Sequence, residues 1–210
     1  MIALVVLLTV PVPLVGQQPR NRYDSLGISI VPELNRLRRD PPGYARYLEA
    51  MLPHFEGTLL HRSARPGLRT EEGAPAVAEA IRVLRQTRPM GALRSSPGLS
   101  HAARDHVRDQ GPTGSLSHRG TDSSTPAIRM NRYGRWDVAS GESIALGSNP
   151  ARDVVLQLLI DDGVRDRGHR KTLLDRHYAV AGAACGPHRE FQQICVIDFA
   201  ARYSEARAGS

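Results

Sequence analysis

The chain's closing stretch constrains its fold more than any other. Tyr178 to Cys185 and Gln193 to Ala200 are both strand-like, and Gly186-Pro187-His188 between them reads as a turn. Pairing the two stretches as a hairpin brings Cys185 and Cys195 near each other across the strands. The same register puts Ala181, Ala183, Ile197 and Phe199 on one face. These are the chain's two cysteines. In a reducing compartment they are two ordinary thiols, whereas in an exported protein an even pair reads as one disulfide. That staple closes a short loop and is worth about 2–3 kcal/mol.

Helical periodicity occupies the chain before the hairpin. Ser29 to Arg39 aligns Ile30, Leu34 and Leu37, and Pro41-Pro42 ends that run. Tyr44 to Leu52 aligns Tyr44, Leu48 and Leu52, while 57–70 carries Pro, Gly and Arg without periodicity and reads as a surface loop. Ala76 to Leu84 is helical again. Ser96-Pro97 then supplies an N-cap and a first-turn proline for a helix burying Leu99, Ala102, Ala103, His106 and Val107. A polar loop from Gly111 to Pro126 follows. Asn149-Pro150 opens a helix whose face is Val154, Val155, Leu158 and Leu159. Helices first and strands last predict an α+β fold with an antiparallel sheet.

Composition narrows the class of partner. The chain has 210 residues, 40% hydrophobic and 23% charged, which is globular, with a formal net charge of +7. That charge alone invites a polyanion. However, the basic residues are almost all arginine, scattered along the chain, and no aromatic-interleaved stripe or zinc-knuckle spacing supports nucleic-acid readout. The apolar run Ile2 to Val15 is shorter than the roughly 20 residues that a membrane span needs. Interrupted by Pro11 and Pro13, it reads better as the apolar core of a signal peptide ending near Gly16, although no Lys or Arg follows Met1.

Four residues carry the chemistry. His118 follows Leu116-Ser117, Glu142 lies in Ser140-Gly141-Glu142-Ser143, and Asp161 and His169 bracket Asp162-Gly163-Val164-Arg165-Asp166-Arg167-Gly168. Two imidazoles and two carboxylates converging in one cleft can bind a divalent cation or move protons. A catalytic zinc takes three protein ligands plus water, a count met by His118, His169 and one acid, with the other acid as base or orienter. Asp161 and Asp162 oppose the dipole at a helix C-terminus, so a fixed partner is expected, either an arginine such as Arg165 or Arg170 or a cleft cation. The chain has no His-Glu-x-x-His helix, Gly-x-Ser-x-Gly elbow, phosphate loop or dinucleotide fingerprint.

From about Glu72 to Tyr203 these pieces resemble, in order and spacing, the CAP superfamily of cysteine-rich secretory proteins, insect venom antigens and plant pathogenesis-related proteins, closest to its bacterial and protist branches. The resemblance rests on the helix Leu99 to Val107, Ser117-His118, Arg129-x-x-x-Tyr133-Gly134, Gly141-Glu142-Ser143-Ile144, Asp161-Asp162-Gly163, Arg167-Gly168-His169-Arg170 and Cys195-Val196-Ile197-Asp198-Phe199-Ala200. Upstream, Leu34-Asn35-x-x-Arg38-x-Asp40-Pro41 resembles the first helix of this branch.

The resemblance implies an α-β-α sandwich, with a cleft of two histidines and two acids that takes zinc in some members. It implies a CAP domain at 71–204, which follows the signal peptide or short membrane-anchoring segment read at 1–16 and an N-terminal helical extension at 17–70. By motif, the cleft residues are His118, Glu142, Asp161 and His169, with His118 and His169 as metal ligands. Asp161 stands where animal members usually have glutamate, and Gly-Glu-Ser replaces the family's Gly-Glu-Asn. Many members are secreted binding or signalling proteins, some carry sterols or lipids, and protease activity has been claimed for few.

The first expectation is therefore a secreted or periplasmic, non-enzymatic protein whose cleft binds zinc, another divalent cation or a small ligand. The second is a zinc-dependent hydrolase with Glu142 activating water. The third is a binder of lipid or a cell-envelope component. No nucleic-acid partner is expected, and no stable membrane span after processing.

Overall fold

The computed structural model of the chain describes residues 21–63, 65–147 and 150–206. The expected export segment 1–16, the beginning of the expected 17–70 extension and the expected cap position Asn149 lie outside the described residues. Asn21 caps α1 (Arg22–Arg39) by accepting a hydrogen bond from the Tyr23 amide. The helix starts seven residues before the expected Ser29 and runs through Pro32. Ile30, Val31, Leu34 and Leu37 are all buried around that proline, so packing of the apolar face outweighs the one lost backbone bond.

Asp40 ends α1 and caps α2 (Pro41–Glu49), accepting from the Gly43 amide at 2.9 Å. The two prolines therefore start a helix rather than merely stopping one. After a 3-10 turn (Leu52–His54), the expected surface loop is instead a small antiparallel meander of β1 (Phe55–Glu56), β2 (Leu59–Arg62) and β3 (Arg65–Arg69). Leu60 pairs with Leu68, but only Leu60 is buried, so no alternation marks these strands in the sequence.

α3 (Ala74–Gln86) buries Ala76, Val77, Ala80 and Leu84. β4 (Arg94–Ser95) leads into α4 (Pro97–Thr113), whose Ser96 cap and buried face are as expected. α4 runs past Gly111 and stops at Gly114, which takes the left-handed conformation that a helix end favours. Then follow α5 (Pro126–Asn131), β5 (Gly134–Leu146), α6 (Ala151–Ile160) and α7 (Gly168–Leu173), and the hairpin of β6 (Val180–His188) and β7 (Gln192–Glu205).

The main sheet has the order β4-β6-β7-β5. It is antiparallel except for the two-residue parallel pairing of β4 with β6, a departure from the purely antiparallel sheet expected. Helices cover both faces. Ala181, Ala183, Ile197 and Phe199 pack with α1 and α6, while Ala184, Ile194 and Val196 pack with Ala103 and Val107 of α4. Gly182 lies so close beneath the α4 backbone at Leu99 and Ser100 that any side chain there would collide with it. The fold is the expected α+β sandwich.

Cys185 and Cys195 are register partners and form the disulfide. Arg38, fully buried, donates to the carbonyls of Gly91, Leu173, Asp175 and Tyr178, tying α1 to the chain that enters β6.

Candidate functional site

Glu142 projects from β5, the edge strand of the sheet. Its neighbour Gly141 faces Thr172 of α7 and Tyr178, so by strand alternation Glu142 faces the opposite side, toward α4 and α5. There its Oε1 meets His118 Nδ1 at 2.7 Å, and its Oε2 accepts from Arg129 of α5 at 2.6 Å. Arg129 also donates to the carbonyls of His118 and Ser124, fixing the loop that carries the histidine. The His118 side chain is 54% exposed and that of Glu142 is 1% exposed, so the pair joins surface to interior.

Below them lies a layer that motif reading did not assign to the site. His106 of α4 donates from Nε2 to the Ser117 carbonyl at 2.7 Å and lies 3.9 Å from Glu142. Burial holds its imidazole below the usual histidine pKa, with the Arg129 charge acting in the same direction and Glu142 opposing. Asp198 of β7 is the cross-strand partner of Glu142 and is completely buried. Its signal in the sequence is a single acid inside the apolar run Cys195 to Ala200.

The second pair forms where α6 ends. Asp161 takes the left-handed conformation at the end of α6, and its side chain turns to the start of α7. One carboxylate oxygen accepts from the backbone amides of His169 and Arg170, and the other meets His169 Nδ1 at 2.6 Å. The fixed partner expected for Asp161 is therefore a set of backbone amides and an imidazole, not an arginine. Asp162 likewise accepts from the amides of Glu71 and Glu72. Arg170 donates to the Leu159 and Ile160 carbonyls and pairs with Glu79, and Arg167 bridges Glu72 and Glu79. The hydrogen bonds from Arg167 bring the Glu72 carboxyl down to about 2. His169 lies in the first turn of α7 rather than in an irregular turn.

These four residues form two histidine–acid pairs, His118 with Glu142 and His169 with Asp161. Asp161 and His169 line a groove of about 1040 Å³ between α6 and the meander, whereas His118 and Glu142 are not among its lining residues. Among the described residues, no three His, Cys, Asp or Glu side chains gather closely enough to hold a metal ion. Both carboxylates act as orienters, each accepting from an Nδ1–H and leaving an Nε2 without a protein partner among the described residues. Ser143 is sealed in the interior.

The profile of the cysteine-rich secretory protein family, CAP, matches residues 78–199. The chain belongs to this family. Its CAP domain is similar to an outer surface protein from Borrelia burgdorferi, with 19% identity over 53% of this chain and 78% of that one and a TM-score of 0.45. It is also similar to an extracellular protein containing an SCP domain from Bacillus anthracis str. Ames, with 19% identity over 59% of this chain and 37% of that one and a TM-score of 0.40. No curated protein matches the chain. No helix among the described residues is long and apolar enough to cross a membrane.

Proposed function

We propose that this CAP-domain chain is an exported, non-enzymatic binding protein that takes a small apolar molecule bearing a hydroxyl group. The observation that carries this reading is the groove of about 1040 Å³ lined by Met51, Phe55, Leu60, Leu156 and Ile160, with the Asp161–His169 pair among its lining residues. Asp161 takes up the Nδ1–H of His169, so a neutral ring keeps its Nε2 lone pair for a donor. A ligand hydroxyl supplies that donor, and the apolar lining takes the rest of the molecule. The described residues offer no activated nucleophile beside this groove, and Glu142, the base that a hydrolytic reading needs, is already held by Arg129.

Calorimetry with a long-chain alcohol and its methyl ether tests this reading. The alcohol is expected to bind about five- to tenfold more tightly, the worth of one hydrogen bond. His169→Ala should erase the difference, while Met51→Trp, which fills the groove, should weaken both ligands. Equal binding of alcohol and ether to the wild-type protein, or full binding by Met51→Trp, sinks the reading.

A further inference from the structure

Asp198 is the most heavily desolvated acid in the site, and its surroundings do not account for a negative charge. It is fully buried, and neither carboxyl oxygen meets an N–H or O–H donor among the described residues. Its register partner across the β5–β7 ladder is Glu142, so the two carboxyl groups stand side by side on one face of the sheet. Two carboxylates cannot bond to each other unless a proton lies between them. Among the described residues one buried cation, Arg129, serves this pocket, and its Nη2 is committed to Glu142 at 2.6 Å. One positive charge balances one carboxylate, not two.

We propose that Glu142 and Asp198 share a single proton, so that Asp198 is a buried acid that positions Glu142 and, through it, His118 at the surface. The groups facing Asp198 agree with this assignment. From β5 comes the Glu142 charge and from α5 the Arg129 charge, while Tyr203 lies further along β7 itself; His106 of α4, 3.9 Å from Glu142, is kept neutral by burial. Burial first, then Glu142, pushes the Asp198 carboxyl well above the usual aspartate range, against the pull of Arg129. The result is a continuous line of hydrogen bonds from exposed His118 through Glu142 to an acid in the core. It is independent of the groove at His169.

Infrared spectroscopy of the full chain at about pH 8, well above the ordinary aspartate value of about 3.9, reads the proton directly. The wild type should show the carbonyl stretch of a protonated carboxylic acid, and Asp198→Asn should lack it. Glu142→Gln should lack it as well, because Arg129 then takes Asp198 as its counter-ion. Absence of the band from the wild type overturns the proposal. Its survival in Glu142→Gln also overturns it, since burial alone would then hold the proton.

The positioning role has its own readout in the slowly exchanging Nδ1–H resonance of His118. That signal should persist in Asp198→Asn, whose amide still donates to Glu142, and disappear in Asp198→Ala. Persistence in Asp198→Ala overturns the positioning. If Asp198→Ala does not fold, the infrared comparison decides alone.

Discussion

Arg129 holds the electrostatics of the interior together, because its guanidinium is the counter-charge for Glu142 and the clamp on the His118 loop. Arg129→Met should destabilise the protein by about 3–5 kcal/mol, measured by urea unfolding, since it leaves a buried carboxylate unpaired. His106 gives a pH signature. Its folded pKa is depressed by burial, and an unfolded histidine titrates near 6.5, so the unfolded chain binds the proton first. The contribution is therefore complete above about pH 6.5 and declines as pH falls below it. His106→Gln retains a donor for the Ser117 carbonyl and should flatten that decline in a pH series of thermal unfolding midpoints. The sequence places His106 on a buried helix face, but nothing in its spacing shows that Glu142 and Arg129 meet it there.

The element that decides the site, β5, is the one that periodicity does not reveal. Gly134 to Leu146 has no apolar alternation, because as an edge strand it carries Arg135, Asp137, Ser140 and Glu142 where a central strand carries aliphatics. The hairpin of β6 and β7 announces itself by the opposite property, continuous apolar runs buried on both faces. Close packing of α4 on this hairpin depends on Gly182. Gly182→Ala should cost about 1–3 kcal/mol by forcing α4 away from β6, read as a lower denaturation midpoint. The disulfide links positions ten residues apart. Replacing both cysteines with alanine should cost about 2–3 kcal/mol, and added reductant should then no longer change the unfolding curve, as it does for the wild type.

At the scale of the molecule, the N-terminal helices are part of the core and not an appendage. α1 lies outside the matched family segment, yet Ile30, Leu34 and Leu37 complete the same apolar cluster as Ala181, Ile197 and Phe199. A chain that begins at Glu71 exposes that face of the sheet and should lack a cooperative unfolding transition by circular dichroism. A chain that begins at Asn21 should keep it. The sequence by itself determined the class of fold, the closing hairpin that brings the two cysteines near each other, the capped α4 helix and the order of the family's motifs. All of these are written in local spacing, turn chemistry and ordered motifs. Only the tertiary structure decided that the four cleft residues stand as two histidine–acid pairs and that Asp198 lies across the ladder from Glu142. Cross-strand partners and opposite sheet faces are fixed by which elements pack together, and the spacing of one strand's residues carries no record of the strand beside it.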